Sequence, residues 1–301
     1  MTRTEFSGYL AAHGIIPLDG SWGVLLSQRG LPVGMAPEQW TLDNPDTVAA
    51  VATAYIAAGA LVVLTNTFGG NRFKLEKCGL GDRVAEVNRR GAELSRDAAG
   101  DHALVCGSVG PTGEFLEPYG DVTPAQMETV FVEQIAALVE GGIDAVLVET
   151  MTSLDEALCG FRAARTVAED MPVIVSLSYD KGARGFATMM GVTPAQAAAG
   201  LTAADVDVIG TNCGNGPEDM IAIVGELRAH TDRPIWARPN AGVPQLIGGE
   251  TVFPATPEEM AAAVPALVQA GATLIGGCCG TTPMHIRATA AACRAANAAR
   301  P

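Results

Sequence analysis

Two stretches place thiols where chemistry would use them: "GTNCGNG", with Cys213, and "GGCCGTTP", with Cys278 and Cys279 side by side. Neighbouring cysteines do not bond to each other easily, because the small ring holding both sulfurs strains the disulfide geometry. A metal ion suits such a pair better. Three thiolates hold Zn²⁺ at ~2.3 Å and leave the fourth tetrahedral position open, as catalytic zinc sites do. A substrate thiol entering that position loses its proton at neutral pH and stays nucleophilic among anionic sulfur ligands. The reaction class is then alkyl transfer onto sulfur. Spacing alone says little, since Cys213 and Cys278 lie 65 positions apart, whereas zinc ribbons use C-x-x-C pairs; placement at strand ends carries the assignment. Cys78, Cys106, Cys159 and Cys293 read as ordinary buried or helix-surface residues.

Asp19 in "LDGSWG" and Glu149 in "VETM" each close an apolar run. Facing one another across a shared mouth, two such carboxylates bind a substrate ammonium group, while the N–H groups of Gly20 and Ser21 hold its carboxylate. The substrate expected from these residues is an amino acid bearing a thiol. The four histidines, His13, His102, His230 and His285, fall in loops or at helix ends, away from the expected ligand set. A zinc hydrolase would use histidine and carboxylate ligands instead. "GSVGPTG" lacks the Lys and Ser/Thr ending of a phosphate loop and reads as a tight turn.

Short apolar runs alternate with helix-period segments eight times. The expected strands are 15–19, 61–66, 103–108, 145–149, 173–178, 206–212, 235–238 and 274–277. Thr123-Pro124-Ala125-Gln126, Thr193-Pro194-Ala195-Gln196 and Thr256-Pro257-Glu258-Glu259 each offer an N-cap, a proline at the first helical position and a capping-box side chain at the third. After Thr123 the stripe Met127, Phe131, Ile135 and Leu138 should face a sheet, and Gly141 should end the helix. Further helices are expected over 45–58, 82–99, 153–164, 217–229 and 283–299. With no linker long enough to divide them, these units predict one (β/α)₈ TIM barrel over 1–301, with its site at the C-terminal ends of the strands. An open doubly wound sheet is the alternative, because strand order is not written in one sequence.

At 301 residues and 48% hydrophobic the chain buries a large core. Its formal charge of −14 argues against nucleic acid or an anionic membrane as partner. The sequence shows neither a signal-peptide core nor an apolar run long enough to span a bilayer, so a cytoplasmic location is expected. Seven irregularly spread cysteines do not form a disulfide framework.

From "LDGSWG" through "GTNCGNGPE" to "GGCCGTTP", the chain resembles the homocysteine S-methyltransferase family, (β/α)₈ enzymes that methylate homocysteine to methionine on a Cys₃ zinc. The resemblance implies that Cys213, Cys278 and Cys279 are zinc ligands and that Asp19, Gly20, Ser21 and Glu149 form the homocysteine site. It also implies that Asn240 lies near the metal. "LTNTFGGNRFKL", "GSVGPTGE" and "RPNAGVP" are most similar to the homocysteine domain of cobalamin-dependent methionine synthase. Val24, where threonine is expected, and Met151, where an aromatic is common, depart from the pattern. No D-x-H-x-x-G cobalamin motif is present, so the expected donor is a methylcobamide, methylcobalamin or its like, on a separate corrinoid protein. The alternatives are an S-methylmethionine, S-adenosylmethionine or betaine donor, another thiol as acceptor, or a non-enzymatic zinc or thiol redox-sensing barrel. A metal-free aldolase-like barrel would need a lysine at a strand end, and Lys74, Lys77 and Lys181 fall elsewhere.

Overall fold

The eight apolar runs become eight parallel strands, β1 Ile16–Pro17, β2 Val62–Leu64, β3 Leu104–Val109, β4 Ala145–Met151, β5 Val173–Leu177, β6 Val208–Asn212, β7 Ile235–Arg238 and β8 Ala272–Ile275. The computed structural model describes residues 1–248 and 250–299. Among these residues the strand order runs β1-β8-β7-β6-β5-β4-β3-β2. A parallel bridge between Leu18 and Val62 joins the two ends, with Asp19 N–H donating to the Val62 carbonyl at 3.1 Å. The sheet is therefore closed, which settles the barrel against the doubly wound alternative. Regular pairing stops a residue or two short of several expected strand ends, because the chain turns into the loops there.

Expected helices appear at Pro45–Ala57, Val84–Ala99, Pro124–Glu140, Leu154–Val167, Pro194–Ala203, Pro217–Arg228, Pro257–Ala270 and Pro283–Ala298. All three threonine capping boxes form; Thr123 Oγ1 accepts from Gln126 N–H at 3.3 Å while Thr123 N–H donates back to Gln126 Oε1 at 2.9 Å. Met127, Phe131, Ile135 and Leu138 are fully buried against the sheet. Gly141 does end its helix, but for a different reason from the one expected. Its φ is −77°, not left-handed, and a Cβ there would lie 2.5 Å from Ala92 Cβ and from the Arg89 carbonyl oxygen. The glycine lets two barrel helices approach.

Several elements escape the βα period. Helix Arg3–His13, capped by Thr2 and Glu5, lies ahead of β1 and sends Phe6 and Leu10 into the barrel interior. There they meet Ile16, Leu18, Leu64, Leu147 and Trp236, which form the floor beneath the site. Short helices Trp22–Gln28, Trp40–Asp43 and Arg72–Lys77, and hairpins Asp180–Gly182 with Gly185–Ala187 and Gln245–Ile247 with Glu250–Val252, elaborate the strand-to-helix segments. No helix among the described residues is long and apolar enough to cross a membrane.

Candidate active site

Side chains alternate inward and outward along a strand, so the floor residues fix the parity of what lies above them. Leu147 points inward, and therefore so does Glu149; Trp236 points inward, and so does Arg238; Val208 points inward, and so does Asn212. Cys106 and Ile174 place Ser108 and Ser176 on the same layer. This layer is a polar ring at the C-terminal end of the barrel. Ser108 Oγ donates to Glu149 Oε1 at 2.5 Å, and Ser176 Oγ donates to Asn212 Oδ1 at 2.6 Å.

Above the ring the three thiols meet. Sγ atoms of Cys213, Cys278 and Cys279 all lie within 4.8 Å of one another, and those of Cys213 and Cys279 are 3.7 Å apart. Tetrahedral coordination at ~2.3 Å separates sulfurs by ~3.8 Å, so the donor set fits zinc in both element preference and spacing. It is the only such cluster of metal-ligating side chains among the described residues. Cys213 takes its place with φ +64°, followed by Gly214 at +72°; Thr150, just past Glu149, has φ +60°. Left-handed non-glycine backbone is uncommon, and here it marks the turn after β6 and the register shift within the last residues of β4, both at the site.

The three thiols interact as one cluster: hydrogen bonding to its neighbours lowers the Cys213 thiol, and the same interactions raise Cys278 and Cys279. A cation among the sulfurs would favour their ionisation together. Asn240 braces the cluster: its Oδ1 accepts from Cys279 N–H at 3.0 Å. Cys106, Cys159 and Cys293 are buried elsewhere, and Cys78 is exposed near the cavity entrance.

The cavity over the thiols measures about 580 Å³ and is walled by Gly20, Ser21, Trp22, Phe68, Glu149 and Arg238 as well as the cysteines. Glu149 lines it; Asp19 does not. Asp19 is instead fully buried, its Oδ1 paired with Arg238 Nη2 at 2.8 Å and its Oδ2 accepting from Trp22 Nε1 at 2.8 Å and Leu64 N–H at 2.9 Å. Ser21 N–H donates to Thr281 Oγ1 at 3.1 Å, and the Ser21 hydroxyl caps helix Trp22–Gln28. Burial pushes Glu149 up to about 7, against the pull of Arg238 and the Ser108 hydrogen bond. Arg238 is the residue that sequence reasoning missed. Val24 and Met151, the two departures from the family pattern, lie off the cavity wall.

A family model described as homocysteine S-methyltransferase matches residues 16–293. The chain belongs to the homocysteine S-methyltransferase family. Methionine synthase of Mycobacterium leprae (strain TN) is 35% identical over 260 residues, covering 83% of this chain and 21% of that protein. Methionine synthase of Mycobacterium tuberculosis (strain ATCC 25618 / H37Rv) is 35% identical over 272 residues, covering 86% and 22%. The chain thus spans about a fifth of the length of these two relatives. The metallated crystal form of homocysteine methyltransferase MmuM from Escherichia coli superimposes with a TM-score of 0.79 at 24% identity, covering 94% of this chain and 98% of that one, which shows the shared fold.

Proposed function

We propose that the protein methylates the thiol of homocysteine to give methionine, taking the methyl group from a methylcobamide carried on a separate corrinoid protein. The observation that carries the acceptor half is the convergence of Cys213, Cys278 and Cys279 at the cavity floor in a chain of this family. These three thiols would hold zinc, which when bound supplies the positive charge that keeps an acceptor thiol ionised at neutral pH. Asn240 fixes the Cys279 backbone, and Ser108 orients Glu149 toward the acceptor's ammonium group. Trp22 and Phe68 exclude water from the reacting end. The thiolate attacks the methyl carbon; the sulfur–carbon bond forms as the donor–methyl bond breaks, and that electron pair leaves with the donor.

Likeness to the methionine synthases supports the corrinoid donor, and so does the surface around the mouth. Among the described residues, the large apolar side chains left exposed, including Phe68, Phe115, Tyr119, Met189, Leu246 and Met284, all sit between the end of a barrel strand and the first turn of its following helix. Such an apolar collar suits a large partner. Direct binding of a small sulfonium or ammonium donor is the second reading, favoured by the aromatic Trp22 and Phe68 on the cavity wall. Lys74 weakens it by standing 4.8 Å over the Phe68 ring, where a cationic methyl would sit.

The deciding assay offers methylcobalamin, a methylated corrinoid protein, S-methylmethionine, S-adenosylmethionine and betaine separately to the zinc-loaded protein with homocysteine. Methionine is expected with the methylcobamides. Turnover with a sulfonium donor and with no methylcobamide overturns the donor half.

A further inference from the structure

An amino-acid acceptor with a free ammonium group would meet two carboxylates at strand ends if Asp19 and Glu149 both faced it. The structure places a cation of its own between them. Arg238 is buried, with Nη2 at 2.8 Å from Asp19 Oδ1 and 3.0 Å from the Gly20 carbonyl, Nε at 3.0 Å from the Gly277 carbonyl, and Nη1 at 3.4 Å from Glu149 Oε2. Asp19 has its remaining oxygen filled by Trp22 and Leu64 and has no face on the cavity. Glu149 alone is presented to a ligand, with a guanidinium on the same wall beside it.

With both carboxyl groups ionised, two carboxylates and one guanidinium leave a single negative charge where a ligand ammonium would otherwise find two. That ammonium is attracted by Glu149 and repelled by Arg238 at close range, and both effects act in a buried, weakly screened setting. We infer that Arg238 sets acceptor specificity in this protein: as the built-in counter-cation of Asp19 and Glu149, it removes most of the advantage of an α-amino group. The acceptor class then widens to ω-thiol carboxylates without one. The inference rests on the thiol-methylation reading above and narrows what the same site recognises.

The test is calorimetric titration of the zinc-loaded protein, with no methyl donor, using homocysteine, 4-mercaptobutyrate, which lacks the amino group, and 3-aminopropanethiol, which lacks the carboxylate. Sites that depend on a polar substrate group reject its absence by factors of ~10⁴ or more, so an affinity ratio of homocysteine to 4-mercaptobutyrate below about 30 is expected here. A larger ratio overturns the inference and leaves homocysteine methylation standing. If none of the three thiols binds, the methyl-transfer reading falls and this inference falls with it.

Arg238→Gln should raise the ratio by about 10-fold or more by freeing Glu149 for the ammonium. Because that change strands the buried Asp19 carboxylate, Asp19→Asn/Arg238→Gln is the companion variant; it removes the Asp19–Arg238 ion pair, leaves Glu149 to face the ligand and should raise the ratio similarly. Zinc content reports whether each variant keeps its site. A ratio unchanged in the double variant, with zinc retained, overturns the role given to Arg238.

Discussion

Arg238 Nη2 lies 2.8 Å from Asp19 Oδ1, with both side chains buried within the barrel. Breaking one partner of such a pair leaves a charge with neither water nor counter-ion. Arg238→Met should therefore destabilise the fold by about 3 to 5 kcal/mol. Asp19→Asn/Arg238→Met should recover most of that loss, since the one buried carboxyl then left without Arg238 is Glu149, whose pKa burial already raises to about 7 so that it can take up a proton. Urea unfolding of the three proteins checks this; equal loss in both variants would show that packing, not charge, is at stake.

Three thiols this close should act as one unit. Cys213→Ala, Cys278→Ala and Cys279→Ala should each abolish stoichiometric zinc, read by elemental analysis of protein purified without chelators. Cys159→Ala, buried in the helical layer, should retain it. Zinc retained in all three site variants would sink the assignment.

Glu149 gives the site a pH signature. Its carboxyl is raised from 4.5 to about 7 by burial, so the folded state holds the proton more tightly than the unfolded chain. That contribution is fully present below the unfolded value and is lost as pH rises through the folded one, by up to about 3 kcal/mol. Stability measured at about pH 5 and about pH 8 should therefore fall more in the wild type than in Glu149→Gln, whose amide does not titrate. The same decline in both proteins would refute the raised value.

Beneath the site, Phe6 seals the barrel floor from the N-terminal helix. Phe6→Ala should cost about 3 kcal/mol in unfolding free energy while leaving zinc content intact. A variant of full stability would show that the helix is not needed to close the barrel.

What was legible in advance follows from the range of the forces involved. The Thr-Pro-x-Gln starts are local, so Thr123 and Thr193 could be read as caps without any knowledge of neighbours. The same logic was available for Thr2 and Glu5, whose capping box announces the missed N-terminal helix. Strand ends placed Cys213, Cys278 and Cys279 on one rim because a closed barrel leaves them nowhere else to go. Arg238 was harder. Its partner Asp19 is 219 positions away, and no local pattern signals an ion pair across a barrel. The available clue was parity: a cation two residues after Trp236 on a buried strand must point inward and needs a carboxylate. The sequence likewise shows the charge on Asp19 without showing that Arg238 already answers it.

Cys213 itself takes a left-handed φ, shared with Gly214, whereas in the segment after β8 the left-handed position falls on Gly280 and not on Cys278 or Cys279. The three sulfurs are therefore unequal in mechanical terms. A non-glycine residue held at that angle stores about 1 to 2 kcal/mol that relaxation would release. Two ligands form a fixed jaw and the third is a sprung one, held shut by whatever the sulfurs grip. Loss of that grip should open the centre at Cys213 first, giving the ion a preferred door on the β6 side of the mouth.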